Sequence, residues 1–457
     1  MKVAVIGLDC ATPQLVFDQF KNDLPNLSRL MEEGSYGELE STHPPITVPA
    51  WSSMMSSRDP GELGFYGFRN RKDYSYDGYS LANSRAVKQP LVWDYLGKKG
   101  LRSILLGVPQ TYPPRPIHGE MVTCFLTPST ESEYTYPASL KEEIERVSGG
   151  YILDVENFRS DDKQAILDQI FEMTRRRFRV AKHLIAHHPW DFFMMVEMGV
   201  DRIHHGFWKY FDKDHPKYQP GNPFEEAIRN YYRFVDREVG EVLSLLDRDC
   251  AVLVVSDHGA KKMVGGICFN EWLIEKGYLR LKEIPSAPTP FSKVEIDWDH
   301  TLAWGDGGYY GRLFLNVRGR EPQGQIPPAD YEKIRDRLIS DIQTIEDPSG
   351  KNIGSVALRP EEIYRTTGGV PPDLIVYFGN LDWRSVGSVG YGAIHTFDND
   401  TGPDDANHAQ HGIFIQRMPG QSKEGHLSGL RIYDVAPTIL NHFGISIPEV
   451  MQGKPIV

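Results

Sequence analysis

A carboxylate at the end of a strand constrains this chain more than any other feature. The apolar run Val3-Ala-Val-Ile-Gly-Leu8 stops at Asp9, and the pattern returns far downstream as Ala251-Val-Leu-Val-Val-Ser-Asp257-His258-Gly259. Short aliphatic and β-branched runs bounded by turn formers read as parallel strands buried on both faces. In open α/β sheets the carboxyl ends of such strands face the ligand. Two strand ends that each deliver a carboxylate, the second followed at once by an imidazole, point to a site for a divalent cation.

The rest of the chain allows such a fold. Its 457 residues are 40% hydrophobic and 25% charged, enough for a large core. The net charge of −12 argues against a stable nucleic-acid complex, which needs a basic surface. It leaves room for an anionic substrate, because bound cations would supply local positive charge. No apolar run reaches the 18 residues of a membrane span, and the amino terminus reads as a strand, not a leader. Cys10, Cys124, Cys250 and Cys268 are scattered, without metal-binding or disulfide spacing. These features predict a cytoplasmic protein with no membrane association, and leave the oligomeric state open.

Strand and helix signals alternate along most of the chain. Helices are expected at 25–34, 92–100, 162–188 and 225–246, and strands at 37–41, 102–108, 192–197 and 251–256. The rhythm breaks over 281–360, which opens on a proline-rich stretch and carries one amphipathic helix. The run Asp373–Phe378 reads as a strand returning to the core, and 433–440 as a closing helix with Pro437 near its first turn. The expected fold is α/β: a mostly parallel central sheet with helices on both faces, built from 1–280 and 361–457. Residues 281–360 form a small insertion or cap.

Three more segments carry site chemistry. The loop Thr42-His-Pro-Pro-Ile-Thr47-Val-Pro-Ala-Trp51 presents hydroxyls held by prolines. Asp201-Arg-Ile-His204-His205 follows the strand at 192–197, and its i, i+4 spacing puts Asp201 and His205 on one helix face. His204 reads as a neighbour of the site. Asn407-His408-Ala-Gln-His411 offers a late histidine. By contrast His183, His187 and His188, beside Arg175–Arg179, read as a polar helix face.

Asp9, Thr47-Val-Pro-Ala-Trp51, Asp201-x-x-x-His205, Ser256-Asp-His-Gly259 and a late histidine stand in the order seen in the alkaline phosphatase superfamily. Within it the chain resembles the type I phosphodiesterase/nucleotide pyrophosphatase branch and its predicted phosphohydrolase/phosphomutase relatives. The resemblance implies an alkaline-phosphatase-like core and two divalent metal ions, zinc or manganese. One would be held by Asp9, Thr47, Asp257 and His258, the other by Asp201, His205 and His408, with His411 as the alternative. It makes Thr47 the nucleophile of a phosphodiesterase or pyrophosphatase that passes through a phosphothreonine. A dication lowers the pKa of a coordinated hydroxyl, which fits that role. The implied partner is a small phosphorylated molecule, such as a nucleotide-like diester.

One departure stands out. Related diesterases carry a His-Gly pair and then a phosphate-binding asparagine soon after the nucleophile, where this chain has Leu63-Gly64 and Phe68. Asn70 or Arg69 is the nearest substitute, and Phe65 and Phe68 are candidates for stacking on a base or for lid packing. Rival readings are a phosphomonoesterase or phosphomutase of the same superfamily, and a catalytically inert metal or phosphate binder. The intact ligand set argues against the inert binder. A sulfatase is disfavoured because the Thr47 motif has neither the cysteine or serine nor the arginine that such an enzyme needs.

Overall fold

The computed structural model describes residues 2–420 and 425–456. Among these, ten strands form one sheet with the strand Lys2–Leu8 near its middle. Val3, Ala4, Val5, Ile6 and Leu8 are fully buried, as a strand covered on both faces requires. Phe192–Glu197 and Cys250–Val255 pair with it on either side, both parallel. Ser103–Leu106 and then Gly119–Val122 extend the parallel block beyond Phe192–Glu197. On the other flank His411–Arg417 runs antiparallel between Cys250–Val255 and Ser35–Glu40. The sheet is therefore mixed but largely parallel, and helices cover both faces.

The helices pack in two groups. Lys163–His187, Gly199–Phe211 and Ala227–Leu245 lie against one another, each burying an apolar stripe. Thr47–Ser56, Val92–Lys98 and Val435–His442 form the other group. Pro437 falls in the first turn of the last helix, where its missing N–H has no partner to lose.

A second apolar core lies beside the first. A four-stranded antiparallel sheet joins Ala303–Asp306, Gly311–Leu315, Leu374–Tyr377 and Val356–Leu358. Asp373–Phe378, expected to return to the core, joins this smaller sheet, where Leu374 to Val376 pair with Gly311–Leu313. The core under it draws on residues from Ile267 to Val389, including Phe269 and Trp272 before residue 281 and Trp383 after residue 360. A burial pattern this discontinuous cannot be read from local periodicity, which marks elements and not their neighbours.

Candidate active site

The strand register assembles the site. Gly7 is level with Val255 and Leu8 with Glu197, so the chain leaving each strand delivers Asp9, Asp257 and Asp201 to one edge of the sheet. Cys10 takes a φ of 67°, turning the chain sharply after Asp9. Its N–H then donates to Asp257 Oδ1 at 3.2 Å, tying the two strand ends together. Asp9 is oriented from below by Trp51, whose Nε1 donates to Asp9 Oδ2 at 2.7 Å. Gly7 makes this possible: a Cβ there would stand 2.6 Å from the Trp51 ring and 2.9 Å from Val196.

Thr47 begins the wholly buried helix Thr47–Ser56. Its Oγ1 lies 3.2 Å from His258 Nε2. The amide hydrogens of Thr47 and Val48 stand in the first turn, where no preceding carbonyl of the helix can accept them, and such a terminus favours an anion. Asp201 and His205 share a face of Gly199–Phe211, with Asp201 Oδ1 3.2 Å from His205 Nε2 and 4.0 Å from His408 Nε2. His258 and His408 stack with ring centroids 3.8 Å apart.

The three histidines are wired alike. His205 Nδ1 donates to Asp404 Oδ1 at 2.8 Å, His258 Nδ1 to Gly259 O at 3.1 Å, and His408 Nδ1 to Pro45 O at 2.7 Å. A carbonyl or ionised carboxylate only accepts, so each Nδ1 carries a proton and each Nε2 is aimed at the carboxylates, where it would serve as the ligand atom of a bound cation. Metal-binding histidines are held this way. Among the described residues, the ligand atoms of Asp9, Asp257 and His258 lie within 4.8 Å of one another, as do those of Asp201, His258 and His408.

The electrostatics of the cluster suit cations. Asp9, Asp257 and Asp201 are all buried. Burial, with the charge of neighbouring carboxylates added, raises Asp9 and Asp257 well above the ordinary carboxylate range. Burial acts the same way on Asp201, but His205 and Arg202 outweigh it and hold this carboxyl low. Burial would lower His205, yet Asp404 and Asp201 keep it at about 10. Asp9 Oδ1, Asp257 Oδ2 and His205 Nε2 are buried without a hydrogen-bond partner. Unpaired buried charge is costly, and cations shared among these atoms would satisfy all three. The mixed nitrogen and oxygen donor set fits divalent metal ions.

Several site residues carry no signal in the sequence. Asp404 accepts from His205, from Tyr309 Oη at 2.9 Å and from Arg159 Nη2 at 3.3 Å. Tyr309 comes from the smaller-sheet region and stacks on both His205 and His408. Arg202 grips Asp154 with Nε and Nη2 at 2.9 and 2.7 Å while Nη1 holds the outer oxygen of Asp201. The acidic pair Asp404-Asp405 just before Asn407-His408 is the one local hint that was available.

Other expected positions lie elsewhere. His411 is exposed on its strand opposite Glu40, outside the cluster that holds His408. His204 turns away to Tyr232 Oη, 3.1 Å from its Nε2. Asn70 ties down its own turn, accepting from Tyr66 N and donating to Gly67 O. Phe65 is buried in the main core and offers no face for stacking. Phe68 is half-buried with its edge to Phe125, which lies under the Arg202 guanidinium.

Comparison with known proteins bears on family and fold. The family model for type I phosphodiesterase/nucleotide pyrophosphatase matches residues 3–413. Human ectonucleotide pyrophosphatase/phosphodiesterase 5 is similar in structure, with a TM-score of 0.56 at 12% identity over 98% of this chain and 96% of that one. The murine protein, solved in an inactive form in complex with AMP, gives the same values. Phosphonoacetate hydrolase from Sinorhizobium meliloti 1021, solved with phosphonoacetate, has a TM-score of 0.60 at 15% identity, covering 95% of this chain and 94% of its own. No curated protein sequence matches. At such identities the solved structures establish a shared fold, and it is the family model, spanning nearly the whole chain, that places this protein in the type I phosphodiesterase/nucleotide pyrophosphatase family.

Proposed function

We propose that the protein is a two-metal phosphodiesterase or nucleotide pyrophosphatase with Thr47 as its nucleophile. The observation that carries this reading is the position of Thr47 Oγ1: at a helix start, 3.2 Å from His258 Nε2, beside two clusters of inward-facing ligand atoms. Asp9, Thr47, Asp257 and His258 would hold one ion, and Asp201, His205 and His408 the other. Zinc or manganese bound there would acidify the threonine hydroxyl and neutralise the non-bridging phosphate oxygens.

The chain's own groups account for the rest. Thr47 Oγ attacks phosphorus as the bond to the leaving oxygen breaks, and the departing alcohol or phosphate takes up a proton. Water then displaces Thr47 from phosphorus, restoring the hydroxyl and releasing the monoester. The first-turn amides of the Thr47 helix face the anion, in place of the asparagine that the family places downstream. Phe68, beside Phe125 and Arg202, is the aromatic we assign to the substrate side of the site. The 281–360 segment is proposed as a cap that reaches the site through Tyr309. Four buried free cysteines support a reducing, cytoplasmic setting, and among the described residues no helix is long and apolar enough to cross a membrane.

The test compares bis(p-nitrophenyl) phosphate, p-nitrophenyl phosphate and phosphonoacetate as substrates for wild type and Thr47→Ala. Metal-dependent turnover that favours the diester and disappears in Thr47→Ala is expected. Preference for a monoester or the phosphonate would reassign the substrate class. Wild-type rates in Thr47→Ala would remove the nucleophile assignment, and metal binding without turnover on a broad panel would favour an inert binder.

A further inference from the structure

We propose that a second, independent cation site lies at the opposite edge of the sheet, where Glu143, His183 and His188 hold one zinc-class ion. His183 Nε2 and His188 Nε2 lie 2.7 and 3.1 Å from the same oxygen, Glu143 Oε1. The three ligand atoms fall within 4.8 Å of one another. They come from separate elements: Glu143 from the helix Leu140–Ser148, His183 from the end of Lys163–His187, and His188 from the residue that caps it.

Proton accounting singles out His188. Its Nδ1 is 2.8 Å from Glu120 Oε2, while its Nε2 faces Glu143. A neutral imidazole carries one proton, so it can donate to only one of two carboxylates. The other contact then sets lone pair against lone pair, unless the ring takes a second proton or a cation lies between them; the proposal is the cation. Glu120 Oε2 is buried and has no hydrogen-bond partner, so it stands ready to accept from Nδ1 when a cation takes Nε2. The wiring repeats that of His205, with a carboxylate on Nδ1 and another facing Nε2. The helix carboxyl terminus adds its negative dipole end, which favours a cation. Two imidazoles and a carboxylate suit zinc, and side chains 15–28% exposed leave access for water as a further ligand.

The location separates this site from the chemistry. His188 precedes the strand Phe192–Glu197 and Glu120 sits at the start of Gly119–Val122, whereas Asp9, Asp201 and Asp257 follow the far ends of their strands. An ion here would cross-link two helices beside an edge of the parallel block, so its role is structural.

Zinc counting on the whole protein tests the proposal. After zinc loading and removal of free metal, wild type should retain one ion per chain more than the His183→Gln/His188→Gln variant, with turnover unchanged. Added zinc should raise the thermal midpoint of metal-stripped wild type more than that of the variant. If the double variant does not fold, Glu143→Gln takes its place, and loss of the corresponding cobalt absorption band supplies a second readout. The difference between proteins is what counts, so the result stands whatever the catalytic centre binds. Equal zinc content in wild type and variants would overturn the site and leave the cluster as imidazolium–carboxylate ion pairing.

Discussion

Replacing Asp404 with asparagine isolates how a residue that touches no substrate controls the proposed centre. Asp404 is buried and ionised: burial would raise its pKa, but His205 and Arg159 outweigh that and lower it. Its Oδ1 fixes the proton on His205 Nδ1 at 2.8 Å, and its Oδ2 accepts from Tyr309 and Arg159. Asparagine keeps the size and offers one acceptor. If that oxygen stays on His205, the amide N–H2 turns toward the Arg159 guanidinium, donor against donor. The charge-assisted bond also becomes a neutral one, with roughly half the strength. Loss of such a partner typically lowers metal affinity by about 10- to 100-fold, or ~1.4–2.7 kcal/mol. Activity measured across buffered free zinc should therefore shift its half-saturation point by that factor in Asp404→Asn, with kcat at saturating metal within about threefold of wild type, since the nucleophile is untouched. An unchanged half-saturation point, or a collapse of kcat that excess metal does not restore, would refute the reasoning.

Three further outcomes follow from the same geometry. Gly7→Ala drives a methyl against the Trp51 ring and Val196; it should destabilise the fold by ~1–3 kcal/mol in urea titration and cut activity by displacing Trp51 from Asp9. His408→Gln should lose at least tenfold in metal affinity by calorimetry, while His411→Gln, on the exposed strand face, should match wild type; the reverse order would exchange their roles. His215 accepts from Lys217 N at its Nδ1 and lies with Nε2 3.2 Å from Asp405 O, and burial lowers its pKa to about 4. Its folded value is below the ordinary 6.5, so the stability it contributes is present above pH 6.5 and is lost as pH falls toward 4. The urea midpoint of wild type should thus drop on acidification more steeply than that of His215→Gln, and equal slopes would exclude this residue as a source.

The strands at 3–8, 192–197 and 251–256 were legible because a strand buried on both faces must be continuously apolar. The long helices were legible for the matching reason, an apolar stripe at helical spacing. Asp9, Asp257 and Asp201 stood out because each closes or follows such a strand. Local pattern stops there. It marked Asp373–Phe378 as a strand without naming its sheet, since the pattern of a strand does not name its partner. It offered Phe65 and Asn70 to the substrate, while packing had committed one to the core and the other to its own turn.

The residues alone set the chemistry available: carboxylates and imidazoles at strand ends, a threonine in a proline-held loop, and the family pattern that orders them; that Thr47 opens a helix came from the structure. Only the tertiary structure decided which histidine turns inward, what holds each Nδ1, and that Tyr309 from the smaller-sheet region roofs the centre. Element type follows from residues a few positions apart, whereas ligand geometry depends on pairs such as His205–Asp404 and His408–Pro45, separated by 199 and 363 residues. Distances of that kind are set by sheet register and core packing, and no local window of the chain contains them.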